Sequence, residues 1–91
     1  MAFGLAPLSN PSRGQVFFDL GLDRDGTVSV QAFSAAGRRV ANLIDAWMPA
    51  GRHTLHWRGL DGSGRPVAPG VYLFRAKAGG RVVTTRVVLL P

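Results

Sequence analysis

The stretch that decides the fold is Trp57-Arg58-Gly59-Leu60-Asp61-Gly62-Ser63-Gly64-Arg65-Pro66-Val67-Ala68-Pro69-Gly70-Val71-Tyr72. Its four glycines permit tight or left-handed backbone, and its two prolines lower the entropy of the unfolded chain. The Asp61 carboxylate can accept hydrogen bonds from nearby backbone amides, as Asp often does in turns. We therefore predict a well-defined loop between two strands, with Trp57 and Tyr72 packed together at its ends. The residues that we assign to this structural loop and core are Trp57, Gly59, Asp61, Gly64, Val67, Gly70 and Tyr72.

Short apolar segments separated by turn residues lie on both sides of this loop. The clearest is Gln15 to Leu22, in which Val16, Phe18, Leu20 and Leu22 point to one face of a half-buried strand. No segment keeps a 3.6-residue apolar period for three turns, so the pattern does not favour helices. It predicts an all-β sandwich or barrel of seven strands, at residues 4–8, 15–22, 27–33, 39–44, 52–57, 71–77 and 81–90.

Glycine, proline and aspartate mark the turns between these strands. We expect Ser12-Arg13-Gly14 to turn the chain, and Met48-Pro49-Ala50-Gly51 and Ala78-Gly79-Gly80 to close hairpins. In the strand at 27–33, Val28 and Val30 point inward, and the register is expected to slip near Ala32 and Phe33.

Two places carry apolar side chains that suggest contact with something else. The final strand ends Val87-Val88-Leu89-Leu90, with apolar residues on both faces, so it is either covered on both sides or docks on another surface. Trp47 precedes the turn at Pro49 and is a candidate contact residue, although packing against the end of the sandwich is the favoured interpretation. The possible interaction surface therefore comprises Val87, Val88, Leu89, Leu90 and Trp47.

The length and composition of the chain limit the functions that it can have. With 91 residues the chain has room for a single domain, residues 1–91, in which a deep catalytic cleft would be hard to fit. It has no cysteine, so packing must supply its stability. No apolar run approaches the roughly 20 residues that span a bilayer, and the N-terminus lacks the features of a signal peptide. We expect the chain to reach the outside of a cell only as part of a longer exported protein or through another signal.

The net charge of +6 comes from ten arginines and one lysine against five aspartates. Clustered basic residues with interleaved aromatics would indicate nucleic-acid binding. Here the arginines are scattered, mostly beside turns. A solvated basic surface is therefore expected, with no nucleic acid among the partners.

Candidate chemical sites are weak. His53 and His56 lie three apart on a predicted strand, so they face opposite sides and cannot share a metal or a proton. Asp23-Arg24-Asp25-Gly26 is similar to the start of a calcium loop, but the chain has no Glu to close one, and a plain turn is favoured. We predict no catalytic residue, no cofactor and no metal, and hence no enzyme. A carbohydrate-binding sandwich would need a row of exposed aromatics, for which Phe17, Trp47 and Tyr72 are the candidates.

The order Trp-x-Gly-x-Asp-x-x-Gly-x-x-Val-x-x-Gly-x-Tyr over 57–72 resembles a known family. So do the Ala50-Gly51-Arg52-His53 turn, the Gly37-Arg38-Arg39-Val40 hairpin and the opening Leu8-Ser9-Asn10-Pro11. Together they resemble the immunoglobulin-like domain of the flagellar hook-capping protein and the related C-terminal sorting domains of type IX secretion. The resemblance extends from about Leu8 to Leu90.

This resemblance implies a seven-stranded, immunoglobulin-like, fibronectin-III-like antiparallel β-sandwich. It implies a non-catalytic sorting or anchoring module at the C-terminus of a secreted or cell-surface bacterial protein, recognised by secretion machinery. The alternative is a structural subunit or cap of an extracellular filament that assembles through strand edges. The expected partners are proteins, namely secretion machinery, the parent protein or further copies of this chain.

Overall fold

The alternating segment at 15–22 forms the central strand β3 (Val16–Leu22) in the computed structural model, which describes all of residues 1–91. Val16, Phe18, Leu20 and Leu22 are each at most 1% exposed. The intervening side chains are exposed or half-buried. The predicted core face of this strand is therefore confirmed.

Every element is a strand, and the strands form two sheets. The three-stranded sheet has the order β1-β3-β6, and the five-stranded sheet has the order β2-β8-β7-β4-β5. No helix suited to spanning a lipid bilayer occurs. The predicted all-β, immunoglobulin-like sandwich is confirmed, with eight strands in place of seven. Besides β3, they are β1 (Gly4–Pro7), β2 (Ser12–Arg13), β4 (Gly26–Ser34), β5 (Arg39–Met48), β6 (Gly51–Trp57), β7 (Gly70–Ala78) and β8 (Arg81–Leu90).

The core lies between the two sheets. Phe18 of β3 contacts Phe74 of β7, with 4.6 Å between ring centroids. The core has an aromatic part around Phe18 and Phe74 and an aliphatic part around Leu20 and Val30. Leu5, Leu43 and Leu55 pack against both parts. Since each strand offers one apolar face, stacking the two sheets buries all of these faces together.

The additional strand is β2, where a turn was expected at Ser12-Arg13-Gly14. Ser12 and Arg13 pair in parallel with Leu89 and Leu90 of β8. Just before them, Asn10 Oδ1 accepts a hydrogen bond from Val88 N (2.9 Å) and Asn10 Nδ2 donates to Arg86 O (3.0 Å). The prediction of a turn was wrong because the chain crosses here from one sheet to the other. A two-residue strand carries no periodicity by which to recognise it.

Strand β5 runs to Met48, beyond the predicted end at Ile44, and Met48–Gly51 is not a hairpin. Strand β5 pairs with β4 in the five-stranded sheet, whereas β6 pairs with β3 in the other. The link is thus a corner between sheets, where the Asp25 carboxylate accepts a hydrogen bond from Ala50 N (2.7 Å). The predicted strand ended too early because residues 45–47 of this edge strand are all exposed and show no alternation of buried and exposed side chains.

Two local predictions are confirmed. The pairing of β4 with β5 shifts register between Ala32 and Phe33, and also between Val30 and Gln31. The β7–β8 hairpin closes through Gly79 and Gly80, whose φ values of 56° and 77° are those of a type I′ turn.

Candidate protein-interaction surface

An aromatic contact joins the two sheets at the ends of the 58–69 loop. Trp57, the last residue of β6, meets Tyr72 and Phe74 of β7 edge-on, with centroid distances of 5.4 and 5.2 Å. Trp57 Nε1 donates to Leu60 O (3.0 Å), and the Tyr72 hydroxyl donates to Ala68 O. Burial raises the pKa of Tyr72, so this hydroxyl stays protonated at neutral pH. Each aromatic side chain therefore fills the core and holds one end of the loop.

Asp61 organises the tip of the loop. Its Oδ1 accepts hydrogen bonds from Ser63 N (2.9 Å), Ser63 Oγ (2.7 Å) and Arg65 N (3.0 Å). The Arg65 amide, followed by the Ser63 hydroxyl, lowers the pKa of the Asp61 carboxyl. Gly64 N also donates to Asp61 O (3.0 Å). The carboxylate thus closes a turn within its own loop.

Gly59 allows the base of the loop to lie against the β2 segment. Its φ is +73°, and a Cβ there would lie 2.3 Å from Gly14 O. Val67 N donates to Gly59 O (2.9 Å), and the half-buried Val67 packs against the core. Gly64 and Gly70 also have positive φ, +84° and +148°, but open space surrounds the position of a Cβ at each. Of these glycines, Gly59 is the one whose missing side chain permits a close backbone contact.

The two aspartates of the calcium-like segment serve other contacts. Asp23 receives two hydrogen bonds from Arg81, at 2.9 and 2.5 Å, and this partner lowers the pKa of its carboxyl. The Asp25 carboxylate accepts the hydrogen bond from Ala50 N at the corner between the sheets. No group of three His or Asp side chains that could hold a metal ion occurs in the structure.

The two histidines lie on opposite faces of β6 and have different partners. His53 Nε2 donates to Pro49 O (2.7 Å). His56 stacks on Phe17, with 4.2 Å between ring centroids, and its Nε2 lies 2.8 Å from Gln15 Oε1. Phe17, 42% exposed, lies in a different sheet from the exposed Trp47, and Tyr72 is buried. These aromatics therefore form no continuous row.

The interaction surface predicted at the end of β8 is wrong for two of its four residues. Val87 and Leu89 face the core, at 0% and 4% exposed, whereas Val88 and Leu90 are half-buried. The reason is that both side chains point toward the three-stranded sheet, where they pack in the core with Val16, Phe18 and Trp57. Packing of Trp47 against the end of the sandwich is also wrong. It is 62% exposed, because it lies on the outward face of edge strand β5.

The surface that the sequence did not reveal is the outer face of the five-stranded sheet. Strand register places side chains of β2, β4, β5, β7 and β8 side by side there. Alternation within each strand could indicate which side chains share a face, but the register between strands could not be inferred. Its apolar members are Phe33, Trp47, Val71, Leu73, Val82, Val88 and Leu90, and its charged members are Arg13, Arg39, Asp45, Arg75, Lys77 and Arg86.

Replacing Gly59 by Ala should destabilise the protein more than replacing Gly64 by Ala. Both variants place Cβ at a positive φ, which costs roughly 1–2 kcal/mol. Only Gly59→Ala also drives a methyl group into Gly14 O, adding roughly 1–3 kcal/mol of overpacking. Urea unfolding of the two variants measures the difference. Equal losses would show that the loop does not depend on this close approach.

Comparison with known proteins gives a family and two similar structures. The model of the FlgD Ig-like domain matches residues 8–81. Dimeric latent PorU from Porphyromonas gingivalis superposes with a TM-score of 0.76 at 17% identity, over 94% of this chain and 9% of the PorU chain. FlgD from P. aeruginosa superposes with a TM-score of 0.66 at 24% identity, over 91% of this chain and 65% of the FlgD chain. No curated protein sequence matches.

At these identities the two solved structures show a shared fold. The family model covers most of the chain and includes the whole stretch from Trp57 to Tyr72. It confirms the resemblance seen in the sequence. The chain therefore belongs to the FlgD Ig-like domain family.

Proposed function

We propose that residues 1–91 act as a non-catalytic sorting or anchoring module of a secreted or cell-surface bacterial protein, recognised by secretion machinery. One observation carries this proposal: the most distinctive residues of the sequence all have structural roles. Trp57 and Tyr72 close the core, Asp61 closes its own turn and Gly59 fits against Gly14. Because these residues serve the scaffold, recognition is assigned to the outside of the sandwich.

The size of the module supports a role as part of a longer protein. In PorU the matching fold occupies only 9% of the chain. A small sandwich that folds around its own core can be joined to unrelated cargo through a terminus. A domain of this kind can direct export or attach a protein to a surface without catalytic activity.

An export assay tests the proposal. The chain is fused to the C-terminus of a periplasmic reporter in a bacterium that has type IX secretion. The fusion should reach the cell surface, whereas the reporter alone should stay in the periplasm. Surface exposure is measured by protease accessibility in intact cells, with a strain lacking the translocation apparatus as control. If a folded fusion stays in the periplasm as the reporter alone does, the sorting role is wrong.

A filament subunit or cap is the second candidate, and the free edge of β5 favours it. This ten-residue strand pairs with β4 on one side only, and it ends beside the exposed Trp47. An unpaired strand edge can add a strand from a neighbouring copy. Sedimentation velocity over a hundredfold concentration range distinguishes the two candidates. Sorting predicts a monomer throughout, and concentration-dependent polymers would favour the filament.

A further inference from the structure

The outer face of the five-stranded sheet combines an open apolar surface with an excess of positive charge. We infer that this face is a docking surface for an acidic, partly apolar segment of a partner protein. The inference rests on the proposed function, since it specifies the chemistry by which the machinery would recognise the module. Three observations carry it: the charge of the face, its exposed apolar side chains, and its poor fit to a second copy of the chain or to a nucleic acid.

Five cations lie on this face against one carboxylate. The cations are Arg13 of β2, Arg39 of β5, Arg75 and Lys77 of β7, and Arg86 of β8, and Asp45 is the single acidic side chain. No hydrogen bond or ion pair within the protein engages the side chain of Lys77 or Arg86, and both residues are exposed. By contrast, Arg81 is paired with Asp23. Lys77 and Arg86 are therefore available to a negatively charged partner.

Exposed apolar side chains lie among the charged side chains of this face. Val71 and Val82 are 36% and 52% exposed, and Val82 lines a shallow depression of about 290 Å³ together with Phe33, Leu73 and Arg75. Strand pairing places Val71 opposite the half-buried Val88. Along the central strand β7, the outward side chains of Val71 and Leu73 are followed by those of Arg75 and Lys77, so the apolar and cationic parts of the face adjoin each other. The partner should therefore bring apolar side chains as well as carboxylates.

Two other occupants fit this face poorly. A second copy docking face to face would bring ten cations together with only two carboxylates, which charge repulsion opposes. A nucleic acid would need free aromatic faces on which to stack its bases. The Phe33 ring is covered by the Arg75 guanidinium, 4.5 Å from its centroid. Trp47 alone does not make a stacking platform.

Binding of a defined peptide tests the inference directly. The probe is a twelve-residue peptide, three repeats of Glu-Val-Asp-Leu, titrated into the isotopically labelled chain and followed by NMR. Shift changes should concentrate on β4, β7 and β8. A Gln/Asn version of the peptide and an oligo-dT of equal charge should bind more weakly. Shifts scattered over both sheets, or tighter binding of oligo-dT, would overturn the inference.

Matched charge reversals locate the site. Lys77→Glu with Arg86→Glu should weaken peptide binding by about tenfold, which is about 1.4 kcal/mol. The control, Arg24→Glu with Arg52→Glu, makes the same change in net charge away from this face, and should alter binding by less than about twofold. Both proteins are checked for a cooperative thermal transition. Equal weakening in the two variants would show that only net charge matters and would contradict the inference.

The same variants separate this inference from the proposed function in the export assay. Less surface delivery of the K77E/R86E fusion than of the R24E/R52E fusion supports the docking surface. Equal delivery of both fusions overturns the docking surface but leaves the sorting role intact. Failure of the unmodified fusion to reach the surface contradicts the sorting role, whatever the outcome of the peptide titration.

Discussion

The contact of Trp57 with Tyr72 and Phe74 is the interaction on which the rest of the structure depends. It joins the end of a strand in one sheet to the start of a strand in the other, at the two ends of a twelve-residue loop. Ordering such a loop costs roughly 1–2 kcal/mol per residue in backbone entropy. Burial of the two rings, with hydrogen bonds from both to loop carbonyls, offsets part of that cost and brings the sheets together.

The two outer faces of the sandwich differ in cover and in charge. On the three-stranded sheet the N-terminal backbone crosses the outer face so closely that a Cβ at Gly21 would lie 2.6 Å from Ala2 O. On the other face Trp47, Val82 and Lys77 are exposed, and most of the side chains are cationic or apolar. The difference in cover and charge makes the five-stranded sheet the more suitable face for recognising another protein.

Sequence patterns predicted the parts of the fold that depend on local chemistry. The alternation of residues 16–22 and the glycines of the 79–80 turn are local signals, and both gave correct elements. The parts that failed depend on distant partners. Asn10 is bonded to a strand 76 residues away, the end of β5 is exposed, and Val87 is buried because other strands cover it. The outer face was missed for the same reason, since register between strands is set by the whole sheet.

Unfolding of Trp57→Ala alongside Trp47→Ala tests the central role of the aromatic contact most directly. Both changes remove an indole, but Trp57 is 5% exposed and Trp47 is 62% exposed. Trp57→Ala should lower the free energy of unfolding by about 3–5 kcal/mol, because it removes a buried indole. Trp47→Ala should change it by less than about 0.5 kcal/mol. Similar small losses in both variants would contradict the claim that Trp57 holds the sandwich and its loop together.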